Sequence, residues 1–126
     1  MTAIPVTITF VALYAIALVV LTGWIGMFRG KIGVFRGHEE NAVLEKRIRY
    51  HGNLIENAPA TALVLGASES LGMSNWILWL AVFSFVVGRI LYFQLYDKEI
   101  RALAMSLTQF PAGLLALWCL YAVYSS

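Results

Sequence analysis

RIRYHGNLIENAPATALVL, residues 47–65, places two chemistries on one segment. From Ala58 onward it has the composition of a membrane-spanning helix, whereas its first half carries Arg47, Arg49, His51, Asn53, Glu56 and Asn57. Whether it crosses a bilayer decides the fold, because the stretches around it leave little doubt about themselves.

The chain has 126 residues, 60% of them hydrophobic and 13% charged, with a mean hydropathy of +0.76. That is too apolar for an ordinary soluble domain and points to a membrane protein. Thr2 to Phe28, Ser70 to Gly88 and Ala102 to Ser126 contain no Asp, Glu, Lys or Arg. Each can cover about 30 Å of hydrocarbon at about 1.5 Å per residue. Residues 49–71 have a fully uncharged run only from Asn57 to Ser68, so topology has to decide the fourth span. With four spans, the loops 29–49 and 97–101 share one side and hold eight of the nine basic residues, all but Arg89. Both termini and the turn near Gly72 to Asn75 then lie on a side with none, a strong positive-inside pattern. A three-span chain would split the two basic loops across the membrane.

The pattern therefore predicts an all-α integral membrane four-helix bundle in one domain over residues 1–126. Its helices are expected over about 4–28, 41–71, 74–97 and 100–124, with both loops cytoplasmic and both termini on the other face. The first span lacks a basic n-region and a small-x-small cleavage site, so it reads as a retained helix. Pro5 fits a first helical turn and Ser74 an N-cap. Residues from about Glu39 read as the start of helix two. Pro59 and Pro111 fall inside helices and free the carbonyls of Ile55 and Leu107. The lone Cys119 has no partner for an intramolecular disulfide and reads as a packing residue. The net charge of +2 reflects loop bias and gives no argument for nucleic acid.

Counted along the helices, Glu56 lies about 15 Å and Arg89 about 11 Å below the basic boundary. A lone charge at that depth costs at least about 2.5–3.5 kcal/mol, so the two are expected to face inward and pair with each other. Arg49, Asn53 and Glu56 recur at i, i+4 and i+7, and so do Arg89, Tyr92 and Tyr96 at i, i+3 and i+7, giving two polar stripes. The plainer reading is a structural ion pair that fixes helix register. His51 has no second ligand at metal spacing and reads as solvated or hydrogen-bonded, so no metal is expected. Lys46 and Arg47 read as topology determinants, and Glu69 as solvated at the far boundary. Guanidinium groups, one carboxylate, an amide and phenols together suit a zwitterion such as a small anionic peptide entering from the cytoplasm.

Arg49-x-x-x-Asn53-x-x-Glu56 followed by Pro59, together with GRILYFQLY around Arg89, Tyr92 and Tyr96, resembles the helix-two and helix-three motifs of the MAPEG family. These are the membrane-associated proteins in eicosanoid and glutathione metabolism, among them microsomal glutathione transferases and leukotriene C4 synthase. The resemblance covers essentially the whole chain, and the HGN variant and small size suggest a bacterial branch in the inner membrane. It implies a homotrimer that binds glutathione as co-substrate between neighbouring subunits, near the cytoplasmic face. Arg49, Asn53, Glu56, Tyr92 and Tyr96 would contact glutathione, with Arg29 coming from the adjacent subunit and Arg89 supporting from within. Arg101, near the start of helix four, is the candidate for holding the thiolate. The expected activity is glutathione transfer, with peroxidase activity as a further option, to hydrophobic electrophiles from the bilayer. The competing readings are a non-enzymatic lipid- or partner-binding protein of the same fold, and a small transporter using Glu56, His51 and Arg89. The absence of inverted repeats argues against the transporter.

Overall fold

The computed structural model describes residues 3–125; Thr2 and Ser126, the outer ends of two uncharged stretches, lie outside them. Four helices run in chain order: α1 Pro5–Ile32, α2 Ala42–Ser70, α3 Asn75–Gln94 and α4 Arg101–Tyr124. Among the described residues there is no strand. Three of the helices, α1, α3 and α4, are long and apolar enough to cross a membrane by themselves. Helix α2 has 29 residues, about 44 Å of helix, and packs against all three.

Cross-helix bonds fix the directions. The start of α1 meets the end of α2 through Glu69, while Thr22 of α1 meets His51 of α2 at 3.3 Å, so these two run antiparallel. Gln109 of α4 reaches Asn57 of α2, and Cys119 lies 3.2 Å from Ser68, so α4 runs parallel to α2. The order is up, down, up, down, with the basic loops at one end. Arg47 clamps α2 to α1 at that end, its guanidinium 4.3 Å from the Trp24 ring and 4.4 Å from the Phe28 ring. A residue read as a topology determinant therefore also packs two helices together.

Helix ends depart from the sequence reading for local reasons. Helix α1 runs on to Ile32, past the expected residue 28, and stops where Gly33 takes the left-handed conformation (φ 73°) and donates to the Arg29 carbonyl. Glu39 and Glu40 also have positive φ, 46° and 63°, so α2 cannot begin at residue 39. It begins at Ala42, where the Asn41 side chain accepts from the Leu44 N–H at 2.9 Å. Ser74 sits at the N-cap of α3 but its hydroxyl caps nothing; its carbonyl accepts instead.

Glu69 is not simply solvated. Its two carboxylate oxygens accept from the backbone N–H groups of Val6 (3.0 Å) and Thr7 (2.9 Å), which α1 cannot satisfy within itself. A carboxylate at a helix N-terminus also meets the positive end of the helix dipole. Glu69→Ala strands both donors and is expected to destabilise the folded protein by about 1–3 kcal/mol, read as a lower unfolding temperature in detergent. An unchanged unfolding temperature would show that water replaces the carboxylate without loss.

Both helices are unbroken through Pro59 and Pro111. The Leu107 carbonyl, freed by Pro111, accepts from the Ser84 hydroxyl of α3 at 2.7 Å, so a defect in one span becomes a bond between two. One turn along α3, the two helices pack tightly at Gly88. A Cβ built there would lie 2.5 Å from Thr108 Oγ1 and 2.9 Å from both the Ala104 carbonyl oxygen and the Thr108 nitrogen. Only glycine fits, as in other close crossings of membrane helices.

Candidate functional site

At the basic end α2, α3 and α4 diverge around a recess of about 470 Å³, lined by Glu45, Arg49, Asn53, Tyr92, Tyr96, Arg101 and Met105. It brings together Arg49 and Asn53 of one polar stripe, Tyr92 and Tyr96 of the other, and the first residue of α4. A smaller neighbouring recess of about 180 Å³ continues along α2 past Gly52 to Glu56.

The residues are held by bonds from outside the recess. Arg89, only 5% exposed, donates through Nη1 to Asn53 Oδ1, and its guanidinium carbon lies 4.7 Å from the centre of the Tyr92 ring. A guanidinium has donors only, so the Asn53 atom facing it must be the oxygen. Asn57 Nδ2 donates to the Asn53 backbone carbonyl (2.7 Å) and to the same Oδ1 (3.2 Å), and Gln109 Nε2 donates to Asn57 Oδ1 (2.9 Å). This amide chain crosses from α3 through α2 to α4 and fixes the Asn53 side chain. Its Nδ2 is the group left to donate to a ligand. Arg101 donates to the Tyr96 carbonyl at 3.3 Å and lies over the Tyr96 ring at 5.6 Å.

Two guanidinium groups and an amide N–H₂ therefore line the recess, with phenols between them and the single carboxylate Glu45 among them. Burial, then the Glu45 carboxylate and Tyr92, push the Tyr96 phenol above its usual range, against the opposing pull of Arg49 and Arg101. At neutral pH Tyr96 keeps its proton and is a donor as well.

The expected Glu56–Arg89 ion pair does not form. Arg89 is bonded to Asn53, no carboxylate of the described residues lies within 4.0 Å of it, and Glu56 is exposed on α2. The reason is angular: Asn53, three residues earlier on α2, is set about 60° round the helix from Glu56, which places its amide against Arg89 of α3 and leaves Glu56 on the exposed flank. Arg29 is also apart from the recess in this chain, its Nη1 donating to the carbonyls of Val34 (3.1 Å) and Gly37 (2.8 Å). Arg49, Asn53, Tyr92, Tyr96 and Arg101 are brought together; Arg89 stands behind them.

Three neighbours went unread in the sequence. Glu45 precedes Arg49 by four residues and extends the same stripe, so the spacing already placed it. Gln109 lies eight residues after Arg101 on the same side of α4, and Met105 midway between them carries no polar signal. Among the described residues no cluster of three His, Cys, Asp or Glu side chains could hold a metal.

No curated protein and no solved structure matches the chain. A family model does, over residues 7–121, which takes in every residue of the recess and reaches into all four helices; the chain belongs to the MAPEG family.

Proposed function

We propose that the protein is a membrane glutathione transferase that conjugates glutathione to hydrophobic electrophiles drawn from the bilayer. The observation that carries this reading is the donor-lined recess at the basic end, built from Arg49, Asn53, Tyr92, Tyr96 and Arg101. Glutathione has two carboxylates, an ammonium, two peptide groups and a thiol. Arg49 and the Asn53 amide donate to carboxylate and peptide oxygens, and Glu45 or Glu56 accepts from the ammonium. Arg101, exposed at the rim, supplies the cation that favours thiolate over thiol, and the thiol proton leaves to water. The thiolate sulfur then forms a bond to the electrophilic carbon, and the leaving group departs with its electron pair, or an opened ring or double bond takes up a proton.

In this reading the basic loops are cytoplasmic, where glutathione is available, and three copies form the working unit. Glu56, exposed about 15 Å along a membrane helix, supports the assembly, since a second copy covers a charge that lipid would not tolerate. That copy is also where Arg29 could meet the recess.

Titration calorimetry of the purified protein in detergent tests the binding half. Saturable glutathione binding is expected, weakened about 10–100-fold in Arg49→Ala, the loss of a charged bidentate donor. Glu56→Gln is expected to weaken it to a smaller degree. Absence of binding to folded, oligomeric protein would move the assignment to a non-enzymatic member of the family.

A further inference from the structure

Asn53 is the one amide in the wall of the recess, and the side chains that orient it lie outside. Arg89, set in the wall of an apolar cavity between α1 and α3 with no carboxylate of the described residues within 4.0 Å, donates through Nη1 to Asn53 Oδ1. A guanidinium has no acceptor, so the Asn53 oxygen is committed to that side. Asn57 meets two acceptors, the Asn53 backbone carbonyl and the same Oδ1, and must turn its Nδ2 to them. Its Oδ1 then faces α4, where Gln109 can answer only with Nε2, at 2.9 Å. One cation thus sets the sense of three amides on two helices.

Two donors converge on a single oxygen. Asn53 Oδ1 has two lone pairs, and Arg89 and Asn57 occupy both. A half-turn of the Asn53 amide would set its N–H₂ against both donors and leave each without an acceptor. Hydrogen bonds accepted at the oxygen also polarise the amide, which strengthens Nδ2 as a donor. Asn53 lines both the recess and its smaller neighbour, so a ligand there meets N–H groups and has to bring an accepting oxygen. Asn57 and Gln109 line neither, and Gln109 is bonded only to Asn57.

We infer that Asn57 and Gln109 are positioning residues that lock Asn53 as an obligate donor toward a carboxylate or peptide oxygen of the ligand. The identity of that oxygen rests on the glutathione reading; the locking of the amide does not. A plainer role for the same bonds is a pin that holds α4 to α2, and the two roles differ in what a lost bond changes.

The test combines glutathione calorimetry, conjugation kinetics and thermal unfolding on the full-length protein in detergent. Gln109→Met, similar in length but without a donor, is expected to raise the Kd for glutathione about three- to tenfold, as for one lost hydrogen bond, with kcat within about twofold of the parent. Asn57→Leu is expected to weaken binding at least as much. Because Gln109 acts through Asn57, the double variant should bind no more weakly than Asn57→Leu alone. A parental Kd in folded Gln109→Met, a loss confined to kcat, or additive losses in the double variant would each overturn the inference, and a lowered unfolding temperature with parental Kd would assign the bonds to the pin. A second readout needs no glutathione. Asn41, Asn53, Asn57 and Asn75 are the only asparagines, so nitrogen-15 labelling of asparagine gives few side-chain amide signals. The Asn53 signal, identified by its loss in Asn53→Ala, is expected to move in Gln109→Met although the two side chains are not bonded to each other. An unmoved signal overturns the positioning whatever glutathione does, and this holds whether or not Asn57→Leu folds. A moved signal in a protein whose parent binds no glutathione would uphold the positioning and overturn the glutathione reading alone.

Discussion

Gly88→Leu is expected to yield no stably folded protein, and Gly88→Ala to unfold well below the parent temperature. Elsewhere in a helix, replacing glycine by alanine gains up to about 1 kcal/mol of helix propensity. At Gly88 the added carbon would meet Thr108 Oγ1 at 2.5 Å and two backbone atoms of α4 at 2.9 Å. The hydroxyl could rotate away only by giving up its bond to the Ala104 carbonyl (2.9 Å), and the backbone atoms cannot move without the whole helix. Overpacking of this kind costs about 1–3 kcal/mol or more, which outweighs the propensity gain. Separation of α3 from α4 would also pull Ser84 from the Leu107 carbonyl, leaving the Pro111 defect unsatisfied in an apolar environment. Gly113→Ala is the control: beyond its own helical turn, no atom of the described residues lies within 4 Å of its added carbon, so its unfolding temperature should match or exceed the parent's. Thermal unfolding of the three proteins in one detergent decides, and equal temperatures for Gly88→Ala and Gly113→Ala would show that α3 and α4 slide apart at little cost.

Arg101→Ala is expected to lower kcat for glutathione conjugation by about 100- to 1000-fold while changing glutathione affinity much less. The guanidinium acts on the charge that appears when the thiol ionises, more than on the charges glutathione already carries. A second signature distinguishes this from a merely structural loss. With the cation gone, the pH dependence of the rate should move upward, toward the free thiol value of about 8.5. Arg101→Lys keeps the charge and should restore part of the rate and most of the pH profile. A variant with parental kcat and pH profile would remove Arg101 from the chemistry and favour the non-enzymatic reading.

The α-helical class and the arrangement of four helices were legible from composition and charge, because bilayer thickness and the placement of Lys and Arg act on runs of residues. The polar stripes were legible for the same reason: the helical period alone puts Arg49 with Asn53 and Tyr92 with Tyr96. Depth along the helices could also be counted, which is how Glu56 and Arg89 came to be expected as partners.

What counting could not supply is the angle at which each helix turns toward its neighbours. That angle gave Arg89 to Asn53 and left Glu56 on the exposed flank of α2. It turned Glu69 from a boundary residue into the cap of α1, through atoms 62 and 63 positions away in sequence. It chose Ser84 for the carbonyl that Pro111 frees, and it set Arg89 in the wall of an apolar cavity with no carboxylate of the described residues within 4.0 Å. Periodicity is a property of one helix and can be read from its residues; pairing belongs to two helices, and only their packing decides it.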